Sequence, residues 1–327
     1  MVESGARRGP QGGIRRIIPP MKIYILDAFH PAGVDYAAKH FETVRWDDPR
    51  VNNWHEDADA VMVRMKPVVA ADIARAKKVR IICKQGVGYD TVDVVAAKKH
   101  GIIVCRTPGV NSDAVAEMAL ALGLAAGRRV AEFDRRIRAG EDVARPKFLA
   151  VETRGKTVGV VGVGNIGSRI ARIWASAFSA RVLGYDPYVA KLECKKVETL
   201  EELLRESDLV TLHVPLNDET RHMIGAREIA LMKKSAVLVN TCRGGVVDEA
   251  ALYAAMKTGH LFGAGLDVWD VEPPPKDHPL LTLPNVIATP HVAGNTFETQ
   301  ERSALRVAQQ AVDFLQGKPP LPENRVA

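Results

Sequence analysis

The chain has 327 residues, of which 46% are hydrophobic and 26% are charged, and this length and composition predict a soluble protein with room for two domains. No apolar stretch approaches the ~20 residues that would span a bilayer, which excludes an integral membrane protein. Half of the net charge of +6 lies in residues 1–20, which hold four arginines and one glutamate. We therefore expect a disordered, charged tail rather than a protein that binds nucleic acid or membranes.

Cysteine and histidine spacing argues against a metal site. The four cysteines (Cys83, Cys105, Cys194 and Cys242) are far apart and form no C-x-x-C pair, and no two histidines have H-x-x-x-H spacing. We predict no bound metal and no disulfide framework, and therefore a reducing, cytoplasmic location.

From residue 21 onward, short apolar segments alternate with amphipathic segments of helical length. The first predicted strands are KIYILDA, TVRWDD, ADAVMVRM, RIICKQG and IIVCRTP, and the helices among them are PAGVDYAAKHF, AADIARAKKV and DVVAAKKHG. Strands separated by crossover helices indicate a parallel sheet that is covered on both faces. A long helix, AVAEMALALGLAAGRR, follows capping residues at 111–113 and leads on to a second helix, VAEFDRRIRAG.

A second alternation begins at residue 155. Its predicted strands are KTVGVVGVG, RVLGYDPY, LVTLHVP, SAVLVNTC, FGAGLDV and VIATP. The last long helix, TFETQERSALRVAQQAVDFLQG, follows this sheet, and we expect it to pack on the first lobe. The predicted fold class is α/β, with two doubly wound parallel-sheet lobes: residues 1–20 form the tail, 21–110 and 294–327 form a discontinuous first domain, and 111–293 form the inserted domain.

A glycine turn between a predicted strand and a helix is the strongest local signal. Gly162, Gly164 and Gly167 have the G-x-G-x-x-G spacing of a dinucleotide-binding turn, in which the pyrophosphate meets a helix N-terminus. Asp186 ends the next strand, nineteen residues past Gly167. Its carboxylate can accept hydrogen bonds from ribose hydroxyls and would repel a 2′-phosphate. The predicted cofactor is therefore NAD rather than NADP.

Three further strands end in groups suited to carbonyl chemistry. Arg243 follows AVLVN, Glu272 follows GAGLDV, and His291 follows VIATP. Because the carboxyl ends of parallel strands face one crevice, we expect these side chains to lie on the same rim as the dinucleotide. Histidine can exchange a proton with a substrate oxygen near neutral pH, a carboxylate beside it stabilises its protonated form, and arginine can bind a substrate carboxylate through two hydrogen bonds. The sequence therefore predicts hydride transfer at a carbon that bears an oxygen.

The motifs VGVVGVGNIG, GYDPY, LHVPLNDETRHMI, VNTCRGGVVDEAAL, GAGLDVWDVEPPP and NVIATPHVAG, in this order, resemble the D-isomer-specific 2-hydroxyacid dehydrogenase family. The resemblance runs from Met21 to about Gly317. It implies an NAD-binding Rossmann domain inserted in a flavodoxin-like substrate domain, with Arg243, Glu272 and His291 as catalytic residues. It also implies a set of cofactor contacts, namely Asn165, Ile166, Asp186, Val214, Pro215, Thr220, Thr241, Cys242 and Asp267.

The resemblance leaves several substrates open. MVRMKPV, ICKQGVGYDTVDV and RPKFLAVETRGKTVG are most similar to D-3-phosphoglycerate dehydrogenases, which implies Arg64 and Lys84 as phosphate-binding residues and Val87 and Gly88 as carboxylate-binding residues. Reduction of glyoxylate or hydroxypyruvate is the close alternative. An NAD(H)-sensing, corepressor-like binding protein is the alternative from another class. A homodimer with GRRVAEFDRRIRAGEDVARPKF near its contact is also implied.

Overall fold

The computed structural model describes residues 20–327, so the predicted tail lies almost entirely outside the described residues. The chain forms two compact units. One comprises the chain up to Arg106 together with Ala304–Ala327, and the other comprises Thr107–Ser303. The domain functions and the boundaries near 110 and 293 remain predictions.

The first unit contains a five-stranded parallel sheet in the order β2-β1-β3-β4-β5. Its strands are β1 (Lys22–Ile25), β2 (Glu42–Val44), β3 (Ala60–Val63), β4 (Ile81–Lys84) and β5 (Ile103–Cys105). The central strands are buried along their whole length, as expected for a parallel sheet covered on both faces.

The second unit contains a seven-stranded parallel sheet in the order β12-β11-β10-β9-β6-β7-β8. Its strands are β6 (Thr157–Val161), β7 (Arg181–Tyr185), β8 (Lys195–Lys196), β9 (Leu209–Leu212), β10 (Val237–Asn240), β11 (Gly263–Leu266) and β12 (Val286–Ala288). The strand order reverses beside β6, and in such sheets ligands bind at the carboxyl ends near this switch point.

The helices connect the strands and cover both sheets. The α-helices are α1 (Pro31–Ala38), α2 (Trp54–Asp57), α3 (Ala70–Arg75), α4 (Val94–Lys99), α5 (Ser112–Gly127), α6 (Val130–Arg138), α7 (Asn165–Phe178), α8 (Leu200–Glu206), α9 (Ala226–Leu231), α10 (Glu249–Lys257) and α11 (Phe297–Leu315). Short 3-10 helices lie at Pro49–Asn53, Arg145–Lys147, Gly244–Val246, Pro279–Thr282 and Pro322–Asn324. Within residues 20–327, no helix has both the length and the apolar character needed to cross a membrane.

The C-terminal half of helix α11 packs on the sheet of the first unit. Its buried residues from Ala304 to Leu315 join one apolar cluster with β1, β3 and β4. The approach is close at Gly33 of α1, where an added Cβ would lie 2.6 Å from the Ala304 carbonyl carbon. A side chain at position 33 would therefore push this helix away from the sheet.

Candidate active site

The glycine turn after β6 has the geometry that a dinucleotide-binding turn requires. Gly162 has a φ of +83°, and a Cβ there would lie 2.6 Å from the His213 carbonyl oxygen. A Cβ at Gly167 would lie 2.0 Å from the Gly162 carbonyl oxygen, so the helix packs directly on the turn. A Cβ at Gly164, by contrast, would meet no atom within 4 Å. The backbone at Gly164 is thus open to a ligand, and α7 begins at the next residue, Asn165.

Asp186 lies beside this turn because β7 pairs with β6. Its carboxylate is buried and accepts two backbone hydrogen bonds, from the Val163 N–H at 2.9 Å and from the Tyr188 N–H at 3.0 Å. These contacts fix the carboxylate next to the glycine turn, where the adenosine ribose of a bound dinucleotide is expected.

The loop after β9 forms the other side of the turn. The Val214 side chain lies 2.8 Å from the position of an added Gly162 Cβ. The buried Thr220 donates from its hydroxyl to the Pro215 carbonyl at 2.6 Å, which closes this loop. The predicted contacts Val214, Pro215 and Thr220 therefore lie in one compact loop beside the glycines.

Thr241 and Cys242 follow β10 and are both buried. Thr241 Oγ1 has no hydrogen-bond partner within residues 20–327, and an orphaned buried hydroxyl at this edge of the sheet fits a site that receives a polar ligand. Burial raises the pKa of the Cys242 thiol to about 11, and its Sγ donates to Asn240 Oδ1 at 3.0 Å. A neutral, hydrogen-bonded thiol shapes the pocket wall rather than acting as a nucleophile.

His291 and Glu272 form the central pair of the site. His291 Nδ1 lies 2.7 Å from Glu272 Oε2, and the two side chains remain 44% and 37% exposed. Partial burial acts to raise the pKa of Glu272. The hydrogen bond and charge of His291, the Trp269 N–H and the positive charge of Arg243 together outweigh it and hold this pKa below its usual range. The carboxylate therefore stays ionised and holds the proton on Nδ1, which leaves Nε2 to act on a ligand.

The backbone at His291 is held in an uncommon conformation. Its φ is +55°, a left-handed value that costs a non-glycine residue about 1–3 kcal/mol. The buried Asp267 carboxylate stabilises this loop by accepting the Val292 N–H at 2.9 Å, the Ala293 N–H at 2.8 Å and the Thr289 hydroxyl at 2.5 Å. We predicted Asp267 as a cofactor contact, and that role remains a prediction. In the structure its carboxylate positions the loop that carries His291.

Arg243 enters the same edge of the sheet from the loop after β10. Its Nη1 donates to the Cys242 carbonyl at 2.6 Å, and its own carbonyl accepts from Asn240 Nδ2 at 2.9 Å. A Cβ at the following Gly244 would lie 2.0 Å from the Trp269 carbonyl carbon. The loops that carry Arg243 and Glu272 thus pack against each other.

Trp269 is a residue whose positioning role the sequence did not reveal. It is buried, its backbone N–H donates to Glu272 Oε1 at 3.1 Å, and its indole N–H donates to the Thr289 carbonyl at 3.0 Å. It therefore links the loop of Glu272 to the loop of His291. The only sequence signal is its place between two predicted site residues, because the partner of an indole N–H cannot be identified from sequence.

The four predicted substrate residues that belong to the first unit lie at one edge of its sheet. Arg64 directly follows β3, and Lys84, the last residue of β4, pairs in register with Val63. Arg64 and Lys84 are therefore brought together at adjacent carboxyl ends, and Val87 and Gly88 lie in the loop that follows.

Local hydrogen bonds fix this edge. Lys84 is only 7% exposed, and its Nζ donates to the Gln85 carbonyl at 2.8 Å. The Arg64 N–H donates to Asp27 Oδ2 at 2.6 Å. Arg106, which lies outside the sequence motifs, donates to the Val87 carbonyl at 3.4 Å and so contributes to the shape of the predicted substrate loop.

Comparison with known proteins identifies the family. The model for the D-isomer-specific 2-hydroxyacid dehydrogenase NAD-binding domain matches residues 120–293. The chain belongs to this family. A glyoxylate reductase of Korarchaeum cryptofilum is 42% identical over 320 residues, covering 93% of this chain and 95% of the relative. The predicted family, the α/β fold with a Rossmann domain, and NAD as cofactor are thereby confirmed.

Other members of the family match to different extents. A D-3-phosphoglycerate dehydrogenase of Methanocaldococcus jannaschii is 44% identical over 277 residues, covering 83% of this chain, but the match spans only 52% of that relative. The solved NADPH-dependent glyoxylate/hydroxypyruvate reductase of Sinorhizobium meliloti is 30% identical, with a TM-score of 0.83, over 94% of this chain and 98% of its own. Members of the family thus differ in substrate, and one solved structure is complexed with NAD whereas another is of an NADPH-dependent enzyme.

Proposed function

We propose that this protein is an NAD-dependent oxidoreductase that interconverts a small D-2-hydroxy acid and the corresponding 2-oxo acid. The observation that carries the proposal is the 2.7 Å hydrogen bond between His291 Nδ1 and Glu272 Oε2. It lies at the edge of the sheet that also carries the glycine turn and Asp186. An acid–base pair at the same sheet edge as a dinucleotide turn is what reduction of a carbonyl requires.

Each side chain has a distinct role in this reaction. The nicotinamide, when bound, supplies the hydride to C2 of the oxo acid or accepts it from the hydroxy acid. His291 donates the proton from Nε2 to the carbonyl oxygen during reduction and removes it during oxidation. Glu272 stabilises the protonated imidazole, and Arg243 binds the substrate carboxylate and polarises the adjacent carbonyl.

Two substrate classes each have a supporting observation. A phosphorylated acid such as D-3-phosphoglycerate is favoured by the two cationic residues, Arg64 and Lys84, at adjacent strand ends. An unphosphorylated acid such as glyoxylate or hydroxypyruvate is favoured by the burial of Lys84 and by the engagement of its Nζ with the Gln85 carbonyl. The 42% identity to a glyoxylate reductase along nearly its whole length supports the second class.

A substrate panel tests the activity and separates the classes. NADH oxidation is measured with glyoxylate, hydroxypyruvate and 3-phosphohydroxypyruvate, for the wild type and for Lys84→Met. If Lys84 binds a phosphate, the variant loses kcat/KM for 3-phosphohydroxypyruvate by about tenfold relative to hydroxypyruvate. An equal loss of kcat/KM for both substrates would assign Lys84 a structural role. Tight NADH binding without turnover of any 2-oxo acid would instead favour the sensing alternative.

We also propose that the protein is a homodimer with α6 at its contact. Three large apolar side chains of this region, Val130, Ile137 and Leu149, are exposed. Val130 and Ile137 are seven residues apart and so lie on one face of α6, and an exposed apolar face of this kind is typical of a protein–protein interface. Light scattering after size exclusion is expected to give twice the chain mass, and Ile137→Asp should reduce it to the monomer mass. A monomeric wild type would contradict the proposal.

A further inference from the structure

A hydrogen bond connects the two loops that flank the glycine turn. In the strand order β9-β6-β7, the loop after β7 and the loop after β9 lie on either side of the turn that follows β6. The Tyr188 hydroxyl, in the first loop, donates to Glu219 Oε2, in the second. This bond therefore passes across the carboxyl end of β6, beside the place where Asp186 marks the expected adenosine ribose.

Hydrogen bonds from their own backbone N–H groups fix the positions of Tyr188 and Glu219. Asp186 Oδ1 accepts the Tyr188 N–H at 3.0 Å, which orients the tyrosine relative to the Asp186 carboxylate. Asn217 Oδ1 accepts the N–H groups of Glu219 and Thr220, each at 3.0 Å, which forms a tight turn. Both side chains of the pair are exposed, so neither is fixed by core packing. Their placement follows from these hydrogen bonds.

The charge of this pair is negative. The hydrogen bond to Glu219 raises the pKa of Tyr188, so the hydroxyl remains a neutral donor at neutral pH. One cation of the same segment, Lys196, donates its Nζ to the Val189 carbonyl at 3.0 Å. Asp186 is buried and each of its oxygens is bonded to a backbone N–H, whereas the Glu219 carboxylate faces solvent. Glu219 is therefore a second, more exposed carboxylate at the adenosine end of the site.

We propose that Glu219, positioned by Tyr188, is a determinant of the preference for NAD(H) over NADP(H) in addition to Asp186. The proposal rests on the proposed function, because it assumes that the dinucleotide binds at this glycine turn. A 2′-phosphate carries a charge of about −1.5 to −2, and an exposed carboxylate held nearby repels it. NAD has only a hydroxyl at this position, which the same carboxylate tolerates.

The test measures binding rather than turnover. Dissociation constants for NADH and NADPH are determined by calorimetry for the wild type, Glu219→Gln and Tyr188→Phe. Glu219→Gln is expected to tighten NADPH binding about fivefold and to change NADH binding less than about twofold. Tyr188→Phe keeps the carboxylate but removes the donor that positions it, so a shift of about twofold in the same direction is expected.

Asp218→Asn is the matched control, because it removes the same charge from the neighbouring residue of the same turn. If the ratio of the NADPH and NADH dissociation constants shifts as far in Asp218→Asn as in Glu219→Gln, the effect is one of general surface charge. That result would overturn the assignment. An unchanged ratio in Glu219→Gln, with NADH binding intact, would also overturn it while leaving the proposed function untouched. Failure of the wild type to bind NADH would instead refute the proposed function.

Ionic strength provides an independent readout on the unmodified protein. Repulsion between exposed charges is screened over about 8–10 Å at physiological salt and over about 3 Å at 1 M. The NADPH/NADH ratio of dissociation constants in the wild type should therefore fall as salt rises, and this fall should be smaller in Glu219→Gln. The same salt dependence in both proteins would contradict the proposal.

Discussion

Replacing Glu272 by glutamine isolates the charge of the carboxylate that pairs with His291. The glutamine keeps the size of the side chain and an oxygen that can still accept the proton on Nδ1, so the 2.7 Å contact persists as a neutral hydrogen bond. A hydrogen bond to a charged group contributes about 1.5–3 kcal/mol and a neutral one about 0.5–1.5 kcal/mol. Because both side chains are more than one-third exposed, the low end of the difference applies, about 1 kcal/mol.

This free energy is the stabilisation that the protonated imidazole loses. We expect kcat/KM for reduction of a 2-oxo acid to fall about fivefold, because the imidazole then carries the proton for the carbonyl without a charged partner.

The assay follows NADH oxidation with a 2-oxo acid for both proteins. Glu201→Gln is the control, because it alters a surface ion pair with Arg227 at 2.9 Å. It should leave the rate unchanged. A Glu272→Gln protein with the wild-type rate would refute the role of the carboxylate.

Three further substitutions test other parts of the account. Trp269→Phe removes the indole donor to the Thr289 carbonyl but keeps an aromatic ring, so kcat should fall about three- to tenfold with little change in NADH affinity. An equal loss of kcat and of NADH affinity would indicate general misfolding instead. Arg243→Lys loses two-pronged carboxylate binding, and an unchanged KM and kcat for the oxo acid would exclude that role. Burial lowers the pKa of His213 to about 3, whereas the same side chain in the unfolded chain has a pKa of about 6.5. As the pH falls, the unfolded chain therefore binds a proton at His213 before the folded protein does. The stabilisation that comes from the neutral, buried His213 is complete above pH ~6.5 and declines towards pH ~3. His213→Gln should be more stable relative to wild type at pH 5 than at pH 8 by about 1–2 kcal/mol in urea titrations, and a parallel pH dependence would contradict this.

The parallel sheets were predictable because their signal is local. Continuous apolar segments such as β3 and β10 can be buried on both faces, and the helices between them have their own amphipathic period. Other elements lack such a signal. The two-residue β8 is made of lysines, and the helical segment at 49–57 is held partly by the Asp48 side chain, which caps its first turn. Elements of this kind depend on single hydrogen bonds that sequence patterns do not show.

The sequence predicted at which strand ends the residues of the candidate site lie, but not how the loops that carry them are held. The topology of a parallel sheet brings Arg243, Glu272 and His291 to one edge, and their order in sequence indicated this. The left-handed backbone of His291 and the fully buried Asp267 carboxylate behind it were not indicated, because both depend on hydrogen bonds between loops more than twenty residues apart. The same holds for the Tyr188–Glu219 bond.

The most direct test of the central claim is the turnover of a His291→Asn variant with intact cofactor binding. Asparagine tolerates the left-handed φ of +55° better than most residues, so the loop should keep its conformation while the acid–base group is lost. We expect the rate of NADH oxidation with the best 2-oxo acid of the panel to fall about 10²- to 10⁴-fold, with NADH affinity unchanged. Turnover close to that of the wild type would show that His291 does not exchange the proton.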